Sequence, residues 1–360
     1  MHDVIVIGGG VIGLSIAREL AGRKSVLVVD RGPTGHGTSR AAAGMLTPLS
    51  EADDQGPFFQ LSRASHALYP RFIEEVQAES RLDANYGEEG VLCLASTEPA
   101  ACVLRHRYEW QKNAGFRVEF LSEADVHTME PLITAPIEAA VFIPGESSVA
   151  PRRLVNALRE ACLNRGVDIR TGLTVEGISE KQVHIEGSTL SADSIVVASG
   201  VWSGNLAGLH PPIPVQPRKG QILSLGMPAG AFRRMIRWGS SYFMPRPTGE
   251  LVVGATSEDA GFDLSNTPAG LSRLLVDAQQ ISSHVGAYPI LETWAGLRPA
   301  TPDGLPILGC SAIPGVIYAT GHFRNGVLLA PVTAKIVSEL IEGRKPSLPI
   351  DAYSPFRFQL

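Results

Sequence analysis

Residues 3–20 read DVIVIGGGVIGLSIAREL, and the spacing of their apolar residues changes half-way along. Val4 to Ile7 form an unbroken apolar run, as expected of a parallel strand covered on both faces. Beyond the glycines, Ile12, Ile16 and Leu20 recur at helical spacing, and Gly22 suits the helix end. Gly8, Gly10 and Gly13 spell GxGxxG between strand and helix. Each has a job in a dinucleotide site: a tight turn, room for a pyrophosphate, and close helix–strand packing. Val11 and Ile12 open the helix, whose free N–H groups and positive dipole end favour an anion. The next strand, SVLVVD, ends at Asp30, where a ribose-binding acid belongs. Arg31 leaves a phosphorylated ribose open, so the motif does not choose between NAD and FAD. The competing reading is a glycine-rich turn with no ligand.

Outward from this unit the pattern recurs. PRRLVNALREACLNRG reads as an amphipathic helix with Pro151 in its first turn. VDIRTGLTVEGIS, QVHIEG and STLSADSIVVASG follow as strands, and GVLLAPVTAKIVSELIEG predicts a helix over 326–343 that tolerates Pro331 near its start. Residues 81–149 and 216–290 instead carry short alternating runs separated by turns. The expectation is a mixed α/β fold of two interleaved units. A Rossmann-like dinucleotide-binding domain comprises 1–80, 150–215 and 291–345. An antiparallel-sheet substrate domain comprises 81–149 and 216–290, and 346–360 form a C-terminal tail.

The chain has 360 residues, 44% of them hydrophobic, and a net charge of -5. No Lys/Arg cluster stands out, which argues against nucleic acid. No apolar run reaches the roughly 18 residues of a membrane span. Cys93, Cys102, Cys162 and Cys310 lie far apart without CxxC spacing, so neither a disulfide framework nor a metal site is expected. With no basic segment ahead of the first strand, a cytoplasmic protein is expected.

Two further stretches carry chemistry. TSRAAAGML, 38–46, sets small residues in a row that lets a planar ring approach, with Thr38 and Ser39 available to phosphates. It also reads as a small-residue helix start packed on the sheet. TWAGLRPATPDGLPILG, 293–309, places Arg298 among small, apolar and turn-forming residues. Arginine is seldom buried without a partner. The partner is either a structural carboxylate, Asp303 or Glu292, or an anionic ligand.

Together GGGVIG, TSRAAAGML, GLRPATPDGLPILG and GHFRNGVLLAP resemble the D-amino acid oxidase superfamily of flavoproteins, nearest its bacterial glycine oxidase branch. The resemblance spans essentially the whole chain in the same order. It implies FAD lying between the two domains. The cofactor-binding residues it implies are Gly8, Gly10, Val11, Ile12, Gly13, Asp30, Arg31, Thr38, Ser39, Ala43, Gly44, Met45 and Val175, with 322–328 (His322, Phe323, Arg324, Asn325, Gly326, Val327 and Leu328) around the flavin. Relatives that attach FAD covalently use a cysteine upstream of TPD. This chain has none there, which implies non-covalent FAD. Arg298 would hold a small amino acid substrate by its carboxylate, with Tyr242 as second donor, Arg324 on the amino side and Met45 beside the ring. The implied reaction passes the Cα hydrogen to the flavin as hydride, needs no side-chain general base, and uses dioxygen as the final acceptor. His322 is read as a backbone contact to the flavin rather than a base. The resemblance also implies a homotetramer and a role in thiazole formation for thiamine. Ser257 and Ser240 depart from the methionine and histidine of that branch, which leaves the preference among glycine, sarcosine and small D-amino acids open. The rival readings are a D-amino acid dehydrogenase passing electrons to a quinone, a flavin module that trims modified tRNA bases, and a flavin-binding protein without turnover.

Overall fold

The computed structural model describes residues 2–359. Its first sheet runs, in spatial order, Ile307–Cys310, Val316–Thr320, Ser188–Val197, His2–Ile7, Val26–Asp30 and Asp168–Thr171. All neighbouring pairs are parallel except the first. The central strand explains the apolar run of the opening stretch. Val4 and Val6 face a core shared with the helices Val11–Leu20, Pro57–Ser80, Pro151–Asn164 and Gly326–Ile341. Ile5 and Ile7 face a second core beneath an antiparallel flap made of Val175–Ser179, Gln182–Ile185 and the first half of Ser188–Val197. A strand covered on both sides has no polar face to show.

The Pro57–Ser80 helix carried no motif in the sequence, yet it completes the helix layer over the first core. Pro331 sits inside the Gly326–Ile341 helix and has no N–H to give to the carbonyl of Val327 four residues back. The buried Tyr69 hydroxyl donates to that carbonyl instead. One turn earlier on the same helix, Ser65 Oγ donates to the Leu328 carbonyl at 2.6 Å.

The second sheet is ordered Ile290–Ala300, Gln216–Gly226, Glu250–Gly254, Ser241–Pro245, Met235–Trp238, Val91–Ala95, Ala139–Ile143 and Glu119–Leu121. It is antiparallel apart from one parallel pair, Met235–Trp238 with Val91–Ala95. The segments read as short alternating runs also hold helices Glu98–Asn113 and Pro268–Ile281, the second covering one face of this sheet through Leu274, Ala278 and Ile281.

One placement differs from the sequence reading. Residues 291–300 were grouped with the dinucleotide unit, but the Ile290–Ala300 strand is the edge of the second sheet. It pairs with Gln216–Gly226 almost throughout, with Arg298 opposite Arg218 and Gly296 opposite Gly220. Its prolines and glycines resemble a loop. What makes it a strand is a partner 65 to 84 residues earlier, which no local pattern reveals. The C-terminal segment is also docked: Tyr353 is buried in the first core, and Arg357 pairs with Asp303 at 2.7 Å.

Candidate active site

Both sheets contribute to one cavity of about 630 Å³. It runs from Asp30, Arg31 and Val175 at one end to Tyr242 and Arg298 at the other.

At the first end the three motif glycines have different surroundings. Gly8 has φ +109°, and a Cβ there would lie 2.4 Å from the Ala198 carbonyl oxygen. A Cβ on Gly13 would lie 1.9 Å from the Gly8 carbonyl oxygen. These two serve the turn and the packing. A Cβ on Gly10 would meet only the Ser39 hydroxyl, at 3.1 Å, and otherwise opens onto the cavity. The backbone there leaves room for a ligand. Ser39 Oγ accepts from the Val11 amide at 2.9 Å, and Thr38 donates to the Leu297 carbonyl. Asp30 accepts from the amides of Gly9 and Gly32 at 2.7 and 3.0 Å, and each oxygen keeps a free lone pair. Arg31 stacks on Trp202, 3.6 Å from the ring centroid, a partner the sequence did not suggest.

The middle of the cavity is walled by Ala43, Gly44 and Met45. This wall is fastened to the second sheet. Trp294 Nε1 donates to the Ala41 carbonyl at 3.0 Å, and Arg246 donates to the carbonyls of Ala43 and Val149. A Cβ on Gly296 would lie 2.5 Å from that of Ala41, so the strand can lie against this turn only with glycine there. Opposite, the Gly326–Ile341 helix presents an N-terminus with no side-chain cap, and His322, Phe323, Arg324, Asn325, Gly326 and Val327 all reach the cavity. Leu328 does not: its side chain is buried in the first core, because the next position round the helix faces inward. Gly13 likewise lies behind the wall. Burial lowers the His322 pKa to about 3, and its Nε2 is paired with Thr333 Oγ1 at 3.0 Å. The ring is neutral and engaged with Thr333. None of the four cysteines lines the cavity. A backbone opening at Gly10, helix N-termini without side-chain caps of their own and a wall of small residues suit a flavin dinucleotide.

The other end answers the question of Arg298. Asp303 is taken by Arg357, and Glu292 holds Arg152 through two bonds of 2.7 and 2.8 Å. Both structural-pair readings therefore fail. Among the described residues Arg298 makes one hydrogen bond, from Nη1 to the Thr256 carbonyl at 3.1 Å, and no ion pair within 4.0 Å. Burial presses its pKa down, although the guanidinium stays charged. It lies flat across Gly220, whose Cβ would fall 2.4 Å from Nη2. Tyr242 lies across Gly254 in the same way, its hydroxyl 2.3 Å from where a Cβ would be, and burial raises its pKa. Glycines inside strands mark close approach, and this was the signal that RKGQ and VGAT offered.

Glu51 belongs to no motif and was not expected here. Its carboxylate pairs with Arg237 in the cavity wall, with Arg324 3.9 Å away. Burial works to raise its pKa, but the two guanidinium groups win and hold it low. Behind it, buried Glu146 accepts from the amides of Leu49 and Ser50, and burial lifts its pKa to about 8. Arg324 is half exposed at the mouth, and Arg273 reaches the Ser240 hydroxyl at 2.6 Å.

A family model described as FAD dependent oxidoreductase (DAO) matches residues 3–340. The chain belongs to the DAO family of FAD-dependent oxidoreductases. It is 33% identical to a glycine oxidase of Geobacillus kaustophilus, over 98% of this chain and 96% of that protein. The crystal structure of glycine oxidase from Geobacillus kaustophilus superposes with a TM-score of 0.95 at 32% identity, covering 99% of this chain and 98% of the other. A bifunctional ThiO/ThiG protein of a Nostoc strain is 36% identical over 96% of this chain. The chain spans about half the length of that relative, 53%. The fold class, FAD as cofactor and oxidoreductase activity expected from the motifs agree with these findings. Among the described residues no helix is long and apolar enough to cross a membrane.

Proposed function

We propose that this chain oxidises glycine, with sarcosine and small D-amino acids as further substrates. The observation that carries the reading is Arg298: a buried guanidinium at a cavity wall, with one carbonyl partner and no carboxylate. A buried charge without a counter-ion is costly, and a substrate carboxylate removes that cost through two parallel charge-assisted bonds. Tyr242 stands in the same wall and offers a further donor. Gly220 and Gly254 leave the space that the Arg298 guanidinium and the Tyr242 ring occupy, which lets both groups lie flat against the sheet.

FAD, when bound without covalent attachment, supplies the electron acceptor. The residues orient the substrate and exclude alternatives to that transfer. No side chain is set up as a base: His322 is spent on Thr333, and Glu51 is held as the anion by Arg237. The substrate therefore reacts with its amine neutral. Overall, glycine, dioxygen and water become glyoxylate, ammonia and hydrogen peroxide. Service to thiazole formation in thiamine biosynthesis, a cytoplasmic location and a homotetramer complete the reading.

Anaerobic mixing of the FAD-loaded protein with glycine tests it. Bleaching of the flavin band, then recovery with peroxide release on admitting air, is the expected result. Bleaching without recovery in air replaces dioxygen with another acceptor, such as a quinone. No bleaching with glycine, sarcosine or D-alanine overturns the reading. Light scattering checks the tetramer.

A further inference from the structure

Arg298 has a single protein partner, the Thr256 carbonyl, so whatever fixes that carbonyl also aims the guanidinium. Thr256 is buried and held on three sides. Its amide donates to the Gln221 carbonyl at 3.2 Å. Its hydroxyl accepts from the Gln221 amide at 2.8 Å and donates to the Glu258 carboxylate. The side chain of Gln221, fully buried, closes the circuit. Its Nε2 donates to Glu258 at 2.8 Å and to Thr267 Oγ1 at 3.0 Å, and its Oε1 accepts from the Thr267 amide at 2.8 Å. Both amide protons are used. Thr267 in turn caps the Pro268–Ile281 helix, and Gly270 leaves the space that Gln221 fills, since a Cβ there would lie 2.4 Å from Nε2.

Strand alternation gives this circuit its place. Gly220 and Gln221 are neighbours, so they face opposite sides of the sheet. Arg298 lies over Gly220 on the cavity side. Gln221 works from behind, with Lys219, whose backbone exchanges two hydrogen bonds with Glu258 at 3.0 and 2.9 Å. Neither Gln221 nor Glu258 lines the cavity. A network of this kind, centred on a fully buried glutamine whose amide protons are both used, is rigid, and rigidity behind a binding group keeps its geometry from drifting.

We propose that Gln221 and Glu258 are positioning residues: they hold the Thr256 carbonyl and thereby set the direction in which the Arg298 fork meets a carboxylate. The assignment rests on the reading of Arg298 as the carboxylate site. Its test uses the FAD-loaded protein and acetate, followed by the change in the flavin spectrum, together with glycine turnover. In Glu258→Ala and Gln221→Met the acetate Kd and the glycine KM rise about tenfold, while kcat stays within about threefold. Glu258→Gln, which keeps an acceptor oxygen, returns both to within about threefold of wild type. Asp263→Asn frees the far end of the same loop from Lys219, a contact of 2.6 Å, without touching Thr256. It leaves the acetate Kd within about twofold. Glu258→Ala, a truncation at the cavity's back, keeps the test alive where Gln221→Met does not retain FAD. Unchanged acetate binding in Glu258→Ala overturns the proposal, as does an equal loss in Asp263→Asn, which makes the effect one of loop anchoring. Wild-type protein that binds no carboxylate overturns the functional reading itself, and that outcome is separable from silent variants.

Discussion

The two ends of the cavity are built from different material. From the Asp30 end to the middle the wall is mostly backbone: Gly8, Gly10 and the start of the Val11–Leu20 helix, then the uncapped start of the Gly326–Ile341 helix. At the Arg298 end it is side chains borne on four strands of the second sheet; the strand of Arg298 pairs far back in the chain, while those of Arg237 and Tyr242 form a hairpin. Backbone surfaces depend on conformation and tolerate little added volume. Side-chain surfaces depend on partners, and lose function while the fold survives. The same protein should therefore break in two ways.

The largest effect is expected at the backbone end. Gly13→Ala drives a methyl into the Gly8 carbonyl, at 1.9 Å before relaxation, and should cost about 3 kcal/mol or more, with loss of FAD and a lowered Tm. Gly10→Ala should lose FAD affinity with Tm of the apo-protein nearly unchanged, because its methyl points at the ligand space. Equal Tm losses in the two variants would erase the distinction between turn and ligand glycines.

At the side-chain end, Arg298→Met should reduce kcat/KM for glycine roughly 30- to 1,000-fold, about 2–4 kcal/mol, with FAD content intact. Its Tm without substrate should not fall, because an unpaired buried charge is replaced by an apolar side chain of similar length. A Tm drop of several degrees would mean that Arg298 is structural after all.

Tyr69→Phe sharpens the comparison from behind the backbone wall, where the Gly326–Ile341 helix begins. It leaves the Val327 carbonyl without a donor and should cost about 1–3 kcal/mol, read as a lower Tm. Adding Pro331→Ala restores a backbone N–H at the right place, and the double variant should recover most of the loss. Failure to recover would break the link between Pro331 and Tyr69.

A pH dependence gives the last test. The Glu146 pKa is raised to about 8 by burial, so the unfolded chain gives up that proton first as pH rises. This group therefore removes stability between about pH 4.5 and pH 8. Compared with Glu146→Gln, wild type should lose ground across that window and level off above it, in paired urea unfolding curves. His322 acts in the opposite sense. Its folded pKa near 3 means stability is lost as pH falls below about 6.5, and His322→Asn should flatten that acid limb.

Legibility followed the same division. The dinucleotide unit was readable because its causes are local: an apolar run of period one, a helix of period 3.6 and glycines at set offsets within twenty residues. Arg298 and Tyr242 stood out through the family motifs, and both lie in the cavity. Their glycine supports, Gly220 and Gly254, were visible as letters but not as causes. Glu51 sits in a polar stretch, SEADD, that looks like any solvated loop. Its presence in the wall depends on Gln111 and Glu146 pinning residues 49 and 50 from other elements.

By itself, then, the sequence determined the strand–turn–helix unit, the turn chemistry that makes room for a pyrophosphate, and the presence of one arginine in a setting where an arginine needs an anion. Tertiary structure alone decided that this arginine has no carboxylate of its own. It did so by pairing Asp303 with Arg357 and Glu292 with Arg152, and by adding the Ile290–Ala300 strand to the second sheet. Periodicity is a property of neighbours along the chain. Charge pairing belongs to neighbours in space, and which carboxylate reaches which guanidinium is settled only when the sheets close.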